Sequence, residues 1–224
     1  MALLHSFWRG PALESFGRVA ELDASSGIAY WGIATAALIN PFDDPQATAI
    51  ALGREAVEQA QIVGAQTQRE RDYIGAIAAY YQFPDGTPLL TRRRAYEQEM
   101  ERVSLTYPDD IEAAIFYALA LNTARELSDT TYARQLEAAD ILEPLYAQYP
   151  NHPGIAHYLI HSYDYAALAP RGLDAARRYA AIAPSVPHTQ HMPSHIFTLL
   201  GAFATSVLER LPGATAVVRT FRSR

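Results

Sequence analysis

Residues 149–164, YPNHPGIAHYLIHSYD, decide the fold. Proline removes a helix hydrogen bond and restrains the residue before it, so Tyr149-Pro150-Asn151-His152 reads as a break between helices. An alanine-rich amphipathic helix ends there, and another, PGIAHYLIHSYD, begins. The same form recurs upstream, where Tyr107-Pro108-Asp109-Asp110 precedes IEAAIFYALALN, and downstream, where Ala183-Pro184-Ser185 precedes PHTQHMPSHIFT. Near the start, AELDASSGIAYWGIATAAL has this shape too, with Asp23-Ala24 where the later breaks carry proline. Apolar residues at i, i+3, i+4 and i+7 predict helices near 12–22, 27–39, 46–62, 67–82, 89–106, 111–124, 131–148, 153–166, 170–182 and 190–203. No alternating stretch with turn chemistry predicts a sheet. Thr67 with Glu70 predicts a capping box.

Composition narrows the function. Of 224 residues, 50% are hydrophobic and 19% charged, which is a globular balance with enough chain for a sizeable core. The net charge of -6 argues against nucleic acid, since phosphate binding needs a concentrated positive face. Arg92-Arg93-Arg94 is the one dense basic run, and Glu97, Glu99 and Glu101 follow it, so it reads as a solvated helix face. The absence of cysteine excludes disulfides, CxxC redox sites and thiolate metal sites. No apolar run reaches the ~18 residues that span a bilayer. The longest, Gly27 to Ile39, ends at Asn40-Pro41 and reads as a buried helix. The opening MALLHSFWRG lacks the charged region and cleavage site of a signal peptide. A soluble, cytoplasmic protein is expected. LERLPGATAVVRTFRSR, from 208 on, has no repeat pattern, and a piece of a longer chain is expected at both ends.

The recurring unit resembles the tetratricopeptide repeat, two antiparallel helices in about 34 residues with small residues where they cross and proline after the second. With that proline at the thirty-second position, Ala34, Ala118, Ile160 and Ser194 fall at the eighth, and Leu121, Tyr163 and Phe197 at the eleventh. Pro150 to Pro184 is one repeat, whereas Pro108 to Pro150 is longer and predicts an extended loop near Arg125 to Thr131. The resemblance implies an all-α fold, a right-handed α-α superhelix of antiparallel hairpins over residues 1–203, with an irregular tail over 204–224. HPGIAHYLIHSYD followed by HTQHMPSHIFTLLG is also similar to a bacterial subgroup of such proteins that carries HYxIH and HMPxHI blocks.

Six of the seven histidines lie between His152 and His195. His157 and His161 stand 34 residues before His191 and His195, at the fifth and ninth positions of consecutive repeats. The resemblance implies that these positions line the concave groove, as does the second position, held by His188. Side chains at i, i+4 share one helix face about 5–6 Å apart. Imidazole suits Zn, Cu, Fe or Ni, so His157, His161, His191 and His195 form a candidate metal site, with Asp164 or Glu112 as oxygen ligand. The competing reading is structural: a repeat also duplicates histidines that bond each other or Tyr158, Tyr163 and Tyr165. Neither pair is an HExxH, so neither carries a general base on its own turn. Pro193 favours a helix start, which would separate His191 from His195, unless the helix is kinked instead.

Trp31, at the fifth position of its repeat, could line the same groove or the core, and Asn122, at the twelfth, could bond a peptide backbone. Two functions follow. In one, a repeat scaffold binds a protein, a peptide or a small ligand in a groove built from Trp31, Glu112, Asn122, His157, His161, His188, His191 and His195. In the other, a metal-binding protein or metal-dependent enzyme uses the paired histidines and a divalent transition metal. A third possibility is that the histidines only hold adjacent repeats together. Substrate, reaction and oligomeric state have no signature in the sequence.

Overall fold

The structure is a computed structural model that describes residues 1–38 and 40–201. The expected tail over 204–224, the last residues of the 190–203 helix and Ile39 lie outside the described residues. The described chain is all-α, with no strand among the described residues. Its helices are α1 (Ala2–His5), α2 (Arg9–Leu22), α3 (Gly27–Ala37), α4 (Ala47–Val63), α5 (Gln68–Tyr81) and α6 (Leu89–Thr106). Then follow α7 (Ile111–Thr123), α8 (Ala133–Gln148), α9 (Pro153–Tyr163), a 3-10 turn over Ala169–Gly172, α10 (Leu173–Ile182), α11 (Pro187–His191) and α12 (Pro193–Leu199). No helix among the described residues is long and apolar enough to cross a membrane.

Local chemistry sets most boundaries. Thr67 caps α5 by accepting from the Glu70 amide, while the Glu70 carboxylate accepts from the Thr67 amide, the expected capping box. Asp110 caps α7 through the Glu112 amide and also takes hydrogen bonds from Arg69 and Tyr73 of α5. Residues 124–132 form the extended loop that separates α7 from α8.

Each helix packs on the next, and the two sets differ in burial. Helices α3, α5, α7 and α9 are rich in buried residues, whereas α4, α6 and α8 bury one stripe each and α2 buries only Ala12. Contacts α3 to α5 and α7 to α9 join the inner set. Of the residues expected at the eighth position, Ala34, Ala118 and Ile160 are fully buried, whereas Ser194 is half-buried. Tyr158, Tyr163, Tyr179 and Phe116 are the bulkiest fully buried side chains, and all lie toward the second half of the chain.

Two elements depart from expectation. The short α1 was not expected. It folds back across the inner helices and touches α3 and α9, with Leu4 and His5 buried. The helix expected over 190–203 is instead α11 and α12, joined at Met192, whose φ of -54° and ψ of -38° are helical. Pro193 does open a helix, yet Met192 keeps the turn winding and its amide still bonds the His188 carbonyl.

Candidate metal centre

All seven histidines of the chain gather around the start of α9 and the α11–α12 segment that packs on it. His157, on α9, is fully buried, as is His5. Its Nδ1 donates to the His5 carbonyl at 2.6 Å, which leaves Nε2 as the lone-pair nitrogen. That one Nε2 is approached by His161 Nε2 at 3.1 Å and by His188 Nε2 at 3.1 Å. The donor nitrogens of His157, His161 and His188 all lie within 4.8 Å of one another. An imidazole nitrogen has a single lone pair and accepts one good hydrogen bond, so two approaches cannot both be satisfied by protons. One metal ion would take all three lone pairs. With M–N of about 2.0–2.1 Å, tetrahedral angles place ligand nitrogens about 3.3 Å apart, close to the two separations from His157.

The surroundings keep these imidazoles neutral, which is the ligating form. Burial pushes His157 well below the usual histidine range, and neighbouring His188 adds to it. His161 is lowered in the same way, first by burial and then by His157. His188 is pushed down to about 4 by burial, helped by His191 and His195. Three aromatic rings enclose the triad. Phe7 lies 4.4 Å from the His157 ring and 5.3 Å from His188, Phe42 stacks on His161 at 4.0 Å, and Tyr179 stacks on His157 at 5.0 Å.

The second repeat pair sits beside the triad. His191 and His195 bring their Nε2 atoms to 3.0 Å, so the i, i+4 geometry survives Pro193. His195 Nδ1 donates to Asp164 Oδ2 at 2.6 Å. Asp164 therefore stands behind His195 and orients it, rather than offering that oxygen to the ion as an added ligand. Ring centroids of His161 and His195, and of His188 and His191, are each 6.2 Å apart. Exposure rises from His157, which is sealed, to His191, which is open to solvent.

Glu112 belongs to a separate group. Its carboxylate accepts from His5 Nε2 at 2.7 Å and from His152 Nε2 at 3.4 Å, while His5 Nδ1 accepts from the Tyr158 hydroxyl at 3.0 Å. Burial alone would raise Glu112, but the hydrogen bonds from His152 and His5 outweigh it and hold the carboxyl ionised. Burial keeps His5 neutral, against the pull of Glu112. Both His5 nitrogens are thus engaged, and the group ties α1 to α7 and α9.

Trp31 and Asn122 reach no open groove. The Trp31 ring is packed edge-on against Phe16, Tyr73 and Phe116, and is 3% exposed. Asn122 is buried and donates to the Tyr158 carbonyl and to Ser162 Oγ, tying α7 to the helix that carries His157. Neighbouring long helices bury both: α2, α5 and α7 enclose Trp31, and α9 bonds Asn122. His5, Phe7 and Phe42 were missed by sequence reading. None has a partner at helical spacing, and being the one histidine outside 152–195 was the only signal His5 gave.

The chain matches no protein-family model, no curated protein and no solved structure.

Proposed function

We propose that this chain is a tetratricopeptide-like array of helix hairpins that binds a first-row transition metal, with His157, His161 and His188 as its ligands. The carrying observation is the single Nε2 lone pair of His157 faced by two other imidazole nitrogens at 3.1 Å each. Hydrogen bonding leaves one of those contacts unsatisfied, and a cation satisfies all three. Nitrogen-only ligation by borderline donors suits zinc or copper better than magnesium or calcium. The alternation of buried inner and striped outer helices, with the eighth-position residues at the crossings, supports the repeat reading.

A peptide-binding groove is the weaker reading, because a peptide would have to displace α1 and the buried His5 to reach His157. Elemental analysis of chain purified without an affinity tag tests the proposal. Stoichiometric zinc or copper is expected, and His157→Ala should lose it. Substoichiometric metal that is unchanged in the His157→Ala, His161→Ala double variant would overturn the reading.

A further inference from the structure

We infer that His191 and His195 hold a second metal ion next to the first, so that the five imidazoles form a two-metal centre; this rests on the triad reading above. Three observations converge on it. First, the two Nε2 atoms meet at 3.0 Å across a helix junction that Pro193 could have broken, and the helical Met192 preserves their facing. Second, His195 carries the support that metal-bound histidines have. Its far nitrogen donates to a carboxylate, Asp164, at 2.6 Å, which fixes the tautomer with Nε2 as lone pair and makes that nitrogen more basic. Third, the pair abuts the triad along two edges, His161 to His195 and His188 to His191, each with centroids 6.2 Å apart.

Without an ion the pair is joined by one hydrogen bond, from His191 Nε2–H to the His195 lone pair, and an ion on the triad alone leaves it so. An ion placed on the His157 lone pair takes His161 and His188, which leaves His191 and His195 facing each other just outside it. The two halves also differ in exposure. The triad is enclosed by Phe7, Phe42 and Tyr179, while His191 is solvent-exposed. The second ion thus has two protein ligands and open positions, which water or a bridging oxygen donor fills. That is the coordination of a site built to admit an exogenous ligand, beside an ion anchored on the fully buried His157.

Metal-stripped full-length chain, reconstituted with Cu(II) and desalted, gives the test. The native chain is expected to retain two ions, and the His191→Ala, His195→Ala double variant one. Asp164→Asn should weaken the second ion about 10–100-fold and leave the first unchanged, a split that a merely structural carboxylate would not produce. Two adjacent Cu(II) ions couple magnetically, so the resonance signal per copper should fall as the second equivalent binds. One ion in the native chain, whether or not the double variant keeps it, overturns the two-metal centre and leaves metal binding itself intact. Two ions with full, independent signals overturn the shared centre. No ion in the native chain instead sinks the reading on which the inference rests.

Discussion

Phe7 has a φ of 50°, in the left-handed region where L side chains crowd the backbone. It follows α1 at the position where glycine usually ends a helix, with the Trp8 amide bonded to the Leu3 carbonyl and the Phe7 amide to that of Leu4. Phenylalanine there costs about 1–2 kcal/mol of backbone strain relative to glycine. What the strain secures is a ring over His157, His161 and His188. Gly154 is the complementary case. A Cβ at that position would lie 2.5 Å from His5 Nδ1, and His5 is fully buried between Glu112 and Tyr158 with nowhere to move. Gly154→Ala should therefore lower stability by about 1–3 kcal/mol, read from denaturant midpoints, and weaken metal retention as the His5 carbonyl leaves His157. Unchanged stability and metal content would show that His5 does not position the triad. Sequence reading singled out the two spaced pairs, His188 and Asp164, and left His5 out. Spacing along a helix is local information, whereas a carbonyl arriving from 152 residues away is not.

At the scale of elements, the long helices were legible and the short ones were not. Helices α4 to α7 fall within a residue or two of expectation, because each is long, periodic and bounded by proline, glycine or a capping residue. Helix α5 allows a direct check. Thr67→Ala removes the side-chain half of its capping box and should cost about 1 kcal/mol, a shift in unfolding midpoint with no change in metal content. Loss of metal in that variant would mean that the array transmits local fraying to the centre. By contrast α1 has four residues, too few to be stable by propensity, and forms because Leu4 and His5 are buried against other helices. The α11–α12 junction is similar: Pro193 correctly signals a helix start, but only tertiary packing of the buried Met192 and Pro193 decides that the preceding turn stays wound.

For the whole molecule, burial of the histidines has a pH signature. Folding takes His188 from its ordinary 6.5 to about 4, and His157 and His161 move in the same direction. Between those values the unfolded chain binds more protons than the folded one, so stability rises with pH across the window. The contribution is fully present above about pH 6.5 and is lost as the medium is acidified toward pH 4. Melting temperature of the metal-free chain is expected to fall over that interval, and His188→Gln should flatten the fall. A profile that is level between pH 7 and 4.5 would show that these imidazoles are hydrated. Ionised Glu112 acts in the same direction at still lower pH.

The bond from His157 to the His5 carbonyl joins residues 152 positions apart, and His5 to Tyr158 spans 153. Successive helices, in contrast, meet through short separations and can pack as the chain grows. Closing the larger loop carries an entropic cost that only the finished array can repay, so this contact belongs to the late steps of folding. His188 to His195 also leave the ribosome after nearly all of the described helices. Until those residues have emerged, the preceding helices can form while the histidines stay apart. Any ion held by the triad would then be captured only after His188 has emerged, and never by the helices before it alone.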